Sequence, residues 1–261
     1  MRWTGKIIGA LLGAAAGPVG AALGALIGHG YDVGEAQRRA GAAGEAATIG
    51  AALFQTAFAV MGYLAKADGR VTEAEIDAAR SIMRQLHLDA PHVQLAIEAF
   101  RRGKQPDYPL EAELARLRRL CGPRHELLRV FLEIQLRAAL EGNDLQGPVR
   151  GLLLGIAARL GFGAVEVAQL ELAIRIQRGP GGSAAAPAPA ARLASAYEVL
   201  GVPATASDDD VKKAYRRQMS ENHPDKLVAR GLPESMQDLA KEKTQRIREA
   251  YEVICGHRGL R

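Results

Sequence analysis

The sequence is poor in cysteine and in aromatic residues, and each shortage excludes a class of protein. Only two of the 261 residues are cysteines, Cys121 and Cys255, which lie far apart and form no CxxC pair. This spacing argues against a disulfide framework or a zinc site and fits a reducing compartment. It also predicts two buried thiols, because free cysteine packs as a small hydrophobe. Aromatic residues make up 5% of the chain and leave little surface for stacking nucleic-acid bases.

Long runs of like charge are also absent. The net charge of +5 is a mild excess, and it is not gathered into a basic tail of the kind that binds nucleic acid. We therefore predict no nucleic-acid partner. We also predict no enzyme activity, no cofactor, no metal and no small-molecule substrate.

The N-terminal region contains an uncharged apolar segment. Residues 7–28 carry no charged side chain, and a helix of this length spans roughly 33 Å, enough to cross a bilayer core. The segment predicts a transmembrane helix, preceded by a short tail (1–6) and followed by a juxtamembrane segment (29–45). A cleaved signal peptide is the alternative, although the apolar stretch is longer than a usual h-region. Basic residues nearly balance across the segment, so they do not decide its orientation.

Glycines recur every three or four residues along this segment and share one helix face. Such a stripe of small residues lets two helix backbones approach closely and predicts a homodimer formed through the membrane. The stripe consists of Gly9, Gly13, Gly17, Gly20, Gly24 and Gly28.

The middle of the chain, residues 46–177, has the apolar period of helices. Thr72 and Glu75 have the spacing of a capping box and predict a helix that continues to Leu86. The same pattern recurs 74 positions later, so that Ile82 corresponds to Ile156. We predict two related helical halves that pack together.

The residues Ala67-Asp68-Gly69-Arg70-Val71 and the helix after them resemble the TerB-like family of all-helical domains. The resemblance implies a helical bundle. Asp68, Glu73 and Glu75 have oxygen ligands suited to a divalent cation. They also have the positions of a turn residue, a charge in the first helical turn and a capping residue, and this interpretation is preferred.

Residues 178–192 are rich in Pro, Ala and Gly and predict a flexible linker that gives the last domain reach. The last domain, residues 193–261, has a helix pattern from about Leu193 to Leu200. A second helix is predicted from Asp208, with Ser207 as its N-cap. A third is predicted from about Glu234 to Ile254, with Leu239 among the residues that pack back on the second helix.

The second helix is basic and ends at His223-Pro224-Asp225. Pro224 fixes its own φ and moves His223 out of helical geometry, so that His223 and Asp225 project from a rigid turn. Catalysis by this pair would also need a nucleophile or a metal, and a pocket. The tripeptide therefore predicts a contact surface.

The order Ala196-Tyr-Glu-Val-Leu-Gly, basic helix, His-Pro-Asp and Ala250-Tyr-Glu-Val-Ile resembles the J domain of DnaJ-type co-chaperones. The resemblance implies a DnaK-type chaperone as partner, whose ATPase the J domain stimulates. It also implies the residues that contact the partner: His223, Pro224, Asp225, Lys212, Lys213, Arg216 and Arg217. The alternative for the cations is an ordinary solvated helix face.

The whole order of segments resembles the DjlA family of membrane-anchored DnaJ-like co-chaperones of Gram-negative bacteria. Three segments carry this closer resemblance: Trp3-Thr-Gly-Lys-Ile-Ile-Gly9, Leu26-Ile-Gly-His29 and His223-Pro-Asp-Lys-Leu-Val-Ala-Arg-Gly-Leu-Pro233. It implies an all-α protein in the bacterial inner membrane. It further implies a periplasmic N-terminus, a cytoplasmic bulk, dimerisation through the anchor and a role in envelope or capsule signalling. The alternative function is a membrane scaffold that acts mainly through protein binding by the TerB-like domain.

Overall fold

Helix-forming residues and sharp stop signals alternate along the chain, and every regular element among the residues described by the computed structural model is helical. The structure describes residues 17–67, 69, 71–178 and 189–260, without the side chains of residues 17–40, 176–178 and 189–191. The α-helices are α1 (Gly17–Ala65), α2 (Glu73–Gln85), α3 (Ala90–Gly103), α4 (Leu110–Cys121), α5 (His125–Asn143), α6 (Pro148–Leu160), α7 (Ala164–Arg178), α8 (Pro189–Leu200), α9 (Asp208–Asn222), α10 (Pro224–Ala229) and α11 (Gln237–Arg258). A short 3-10 helix, Glu234–Met236, precedes α11.

The chain divides into two units, Met1–Thr48 and Ile49–Arg261. Gly9 and Gly13 of the predicted glycine stripe lie outside the described residues, whereas Gly17, Gly20, Gly24 and Gly28 lie in α1. The stretch Gly41–Ala65 of α1 is long and apolar enough to cross a membrane. Its most apolar 18-residue segment has a mean hydropathy of 1.4, but 72% of that segment is buried inside the protein. From Ile49 onward nearly all of its apolar side chains belong to the protein core, so we assign this part of α1 to the bundle.

Helices α1 to α7, from Ile49 on, form the middle domain, in which α5 is the central helix. Eleven of the 19 residues of α5 are buried. Helix α1 crosses α3 at two glycines that permit close backbone contact. A Cβ atom at Gly103 would lie 1.7 Å from the carbonyl oxygen of Ala59, and one at Gly62 would lie 2.1 Å from that of Phe100.

The predicted start of α2 is confirmed in detail. The Thr72 hydroxyl accepts a hydrogen bond from the Glu75 amide, and the Glu75 carboxylate accepts one from the Thr72 amide at 2.8 Å. Glu75 is therefore a capping residue, while Asp68 lies outside the described residues. The internal repeat corresponds to helices α2 and α6, which both pack against α5, with Ile82 and Ile156 buried in one core.

The two cysteines differ. Cys121 is buried, as predicted, and burial raises the pKa of its thiol to about 11. Cys255 is only partly buried, so the prediction of a buried thiol is wrong there. It lies in the last turns of α11.

The C-terminal domain, α8 to α11, has a small core of its own and a second contact with the middle domain. Its own core joins helices α8, α9 and the second half of α11 through Ala196, Tyr197, Leu200, Val211, Ile247, Ala250 and Ile254. Leu239, which was predicted to pack on α9, packs instead against the core of the middle domain, because the first half of α11 faces that domain. The domain is thus docked on the bundle.

Candidate functional site

Helix α9 begins as the sequence predicted. Ser207 has extended backbone geometry and its hydroxyl accepts a hydrogen bond from the Asp210 amide at 3.2 Å. Asp208, Asp209 and Asp210 fill the first turn, where the positive end of the helix dipole favours carboxylates. Val211 is fully buried, and this anchors the helix on the small core.

The predicted contact residues on α9 are accessible. Lys213, Arg216 and Arg217 are exposed and Lys212 is partly buried. Lys213 lies 4.0 Å from the Asp210 carboxylate, a long surface ion pair. Within the part of the chain that the structure describes, the other three cations pair with no carboxylate. They are therefore available to an acidic surface of a partner.

The His-Pro-Asp corner has the predicted geometry. Helix α9 ends at Asn222, and His223 leaves it with φ −61° and ψ 126°. Pro224 then opens the short helix α10, in which the missing proline N–H costs nothing at the first position. The Leu227 amide donates to the His223 carbonyl at 3.0 Å and closes the corner. The side chains of His223 and Asp225 are both exposed.

Neighbouring side chains hold this corner rigid. Asn222 is buried, and its amide nitrogen donates to the Gln218 carbonyl at 2.8 Å. Lys226 donates to the Ser220 hydroxyl at 2.9 Å across the corner. A fixed corner presents its two polar side chains without the entropic cost of ordering a loop. This arrangement suits recognition by a partner.

Sequence reasoning missed the residue that ties the domain together at the opposite end of α9. Arg258, near the end of α11, donates to the Tyr197 hydroxyl at 2.7 Å, to Asp208 at 2.8 Å and to two carbonyls of the loop between α8 and α9. These hydrogen bonds, first that to Asp208 and then that to Tyr197, raise the pKa of the Arg258 guanidinium. An arginine near a chain end gives no local signal of four acceptors that lie about fifty residues away.

A second tie joins α9 to α11, through an apolar contact of the kind that the sequence predicts between these two helices. The rings of Tyr215 and Tyr251 stack with centroids 4.1 Å apart and planes 14° apart. Tyr215 follows Lys213 and precedes Arg216, so the stack fixes the rotation of the helix that carries the cations. The geometry thus combines an exposed basic face, a rigid His-Pro-Asp corner and a braced three-helix support.

Comparison with known proteins identifies both ends of the chain. Residues 195–258 match the model of the DnaJ domain, and residues 1–38 match that of the co-chaperone DjlA transmembrane domain. The second match shows that the protein is anchored in a membrane by its N-terminal segment. No solved structure matches the chain.

Relatives align over nearly the whole length. The chain is 43% identical to the co-chaperone protein DjlA of Coxiella burnetii, over 97% of each chain. It is 42% identical to the protein of the same name from Vibrio cholerae, over 98% of this chain and 99% of the other. With the protein of that name from Shewanella oneidensis it shares 40% identity over the full length of both. The chain therefore belongs to the DjlA family of membrane-anchored J-domain co-chaperones.

Proposed function

We propose that this protein binds a DnaK-type chaperone through its J domain and stimulates hydrolysis of ATP by that chaperone. The contact unit is His223, Pro224 and Asp225, with Lys212, Lys213, Arg216 and Arg217 attracting an acidic surface of the partner. The observation that carries the proposal is that the rigid His-Pro-Asp corner and the unpaired cations of α9 are accessible together. The protein itself is not an enzyme in this proposal, because the partner hydrolyses the ATP.

The test is ATP hydrolysis by a purified DnaK-type chaperone in the presence of the full chain in membrane vesicles. His223→Gln should abolish the stimulation and leave the fold intact, since an exposed side chain at a corner contributes little to the core. His257→Gln is the matched control, because His257 is also exposed and lies in α11, away from the corner. Full stimulation by the His223→Gln variant at saturating concentration would refute the proposal.

The cations of α9 should affect the rate of association with the chaperone. Lys212→Ala combined with Arg216→Ala should slow association with the chaperone and reduce its dependence on salt, because exposed charges act over about 8–10 Å and are screened by ions. Arg101→Ala combined with Arg102→Ala removes two exposed cations from α3 of the middle domain and should leave both quantities unchanged. Equal effects of the two double variants would mean that only net charge matters.

We also propose that the anchor lies in the bacterial inner membrane, with the N-terminus in the periplasm and the rest of the chain in the cytoplasm. The support is the proposed partner, which needs cytoplasmic ATP. A reporter fused after Arg261 should then be cytoplasmic, and protease added outside spheroplasts should leave the J domain intact. Digestion of the J domain would overturn this orientation.

Family membership supports two finer proposals. The glycine stripe makes the protein a homodimer through its anchor, and the co-chaperone influences envelope or capsule signalling of the colanic-acid type. The TerB-like nature of the middle domain remains a prediction from residues 67–71. A scaffold role through that domain is the alternative, and it would be favoured if His223→Gln left a cellular phenotype unchanged while deletion of residues 46–177 removed it.

A further inference from the structure

The segment after the His-Pro-Asp corner belongs physically to the middle domain. Leu227, Leu232, Met236 and Ala240 are all 2% exposed or less, and they are part of the apolar core of the bundle. Along α11, the first residue that belongs to the J domain's own core is Ile247. Helix α11 is therefore shared: its first half completes the middle domain and its second half completes the J domain.

A nearly buried ionic cluster lies in the same interface. Glu133 of α5 contacts Lys243 of α11 at 3.3 Å, Arg137 of its own helix at 3.3 Å and Arg246 of α11 at 3.7 Å. Glu242 of α11 lies at the edge of the cluster, 3.7 Å from Arg137. Burial alone would raise the pKa of Glu133, but the surrounding cations outweigh it and lower the pKa to about 2. The carboxylate is thus charged and holds two cations of the J domain against α5.

Three peripheral contacts frame this cluster. Arg230 pairs with Glu126 at the start of α5. His87 Nδ1, after α2, lies 3.1 Å from an Asp238 carboxylate oxygen at the start of α11. Gly50 of α1 faces the carbonyl of Gly231 so closely that an added Cβ would lie 3.1 Å from that oxygen. Contacts to three separate helical regions of the middle domain fix both the position and the rotation of the J domain.

We propose that the middle domain is the docking partner of the chain's own J domain, and that the J domain engages its chaperone while it remains docked. The second part rests on the proposed function. The docking surface uses α10, the 3-10 helix and the first half of α11. The proposed chaperone contacts use α9 and the corner, where His223, Asp225, Arg216 and Arg217 stay exposed in the docked arrangement.

Separation of the two domains is physically unfavourable. It would expose Leu227, Leu232 and Met236 to water, and it would take Glu133 away from Lys243 and Arg246. The chaperone gains nothing from such a separation, because the surface it needs is already free. The docking therefore orients the J domain with respect to the middle domain instead of hiding it.

The test joins the two domains covalently in the full chain. Cysteines are introduced as His87→Cys and Asp238→Cys, with Cys121→Ala and Cys255→Ser to remove the native thiols, and are bridged by a short thiol reagent that reductant cleaves. The control pair is Arg80→Cys with Asp238→Cys. Arg80 is exposed on α2 about two turns, or roughly 10 Å, before His87.

The expected result is rapid intramolecular bridging of the first pair, slow bridging of the control pair, and unchanged chaperone stimulation before and after bridging. Glu133→Gln added to the first pair should slow the bridging, because it removes the charge that holds Lys243 and Arg246. Bridging of the first pair no faster than the control would overturn the docking. Loss of stimulation on bridging, with recovery in reductant, would show that docking is inhibitory and overturn the second part. Efficient bridging with no stimulation by either form would support the docking and overturn the proposed function together with the second part.

Discussion

Replacement of Glu133 by glutamine tests the energetic weight of the ionic cluster between α5 and α11. The amide keeps the shape of the side chain and removes its charge, which leaves Arg137, Lys243 and Arg246 without their shared carboxylate. The pKa of Glu133 falls from an ordinary 4.5 to about 2. At about 1.4 kcal/mol per pKa unit, ionisation of this group stabilises the fold by about 3 kcal/mol at neutral pH. Breaking a buried ion pair by removing one partner costs a similar amount.

The pH dependence gives the sharper result. Because the folded pKa is lowered, this stabilisation is complete above about pH 4.5 and is lost as the pH falls towards 2. The wild type and Glu133→Gln should therefore differ by about 3 kcal/mol at pH 7 and converge below pH 4.5. Urea unfolding of the full chain in detergent micelles, followed by helical circular dichroism, measures both curves.

Glu242→Gln is the matched control for this measurement. Glu242 contacts two of the same cations, but its side chain is 49% exposed. A half-exposed ion pair contributes below about 1 kcal/mol, so this variant should lie close to the wild type at every pH. A stability difference for Glu133→Gln that stays constant from pH 7 to pH 2 would refute the assignment of the charge to this cluster.

Three further predictions concern other parts of the chain. Arg258→Met removes four hydrogen bonds and should speed amide hydrogen exchange in α8 and α9, and unchanged exchange there would show that the arginine does not brace the domain. Gly103→Ala places a Cβ 1.7 Å from a backbone oxygen of α1 and should destabilise the protein by about 3 kcal/mol. Gly151→Ala, with open space around it, should instead stabilise α6 by about 0.5–1 kcal/mol. Thermal unfolding measures both variants, and equal shifts of the unfolding temperature would contradict the packing of α1 on α3. Leucine at Gly13, Gly17 and Gly24 should lower the dimer fraction in a membrane association assay, because bulky residues separate the two backbones, and an unchanged fraction would contradict the stripe.

Most of the features that the sequence predicted correctly are local. The capping box of Thr72 and Glu75, the cap at Ser207 and the exit of the chain from α9 at His223 all depend on residues within four positions of one another. Such signals are set by hydrogen bonding and φ restriction in one turn, and tertiary packing seldom overrides them. The geometry of the His-Pro-Asp corner can be predicted from the sequence for this reason.

The features that the sequence did not predict depend on distant partners. The sequence did not predict α10 and the 3-10 helix after Asp225. These helices form because Leu227 and Met236 have a core to enter on the middle domain. Glu133 interrupts an apolar run in α5, and a carboxylate at such a position indicates a buried cation nearby. The sequence does not say that the cation is Lys243, 110 residues further on.

The match to the DnaJ domain, residues 195–258, therefore differs from the physical unit that contains it. A fragment with these limits keeps the core around Val211 and Ile247, but it exposes the apolar side chains of Leu227 and Met236 that the middle domain covers. It also leaves Lys243 and Arg246 without Glu133. Weak ATPase stimulation by that fragment could then come from the loss of packing against the middle domain as well as from poor contacts with the chaperone. The activity of the His-Pro-Asp corner should therefore be measured on the unit from Ile49 to Arg261, because helix α11 keeps both of its packing surfaces there.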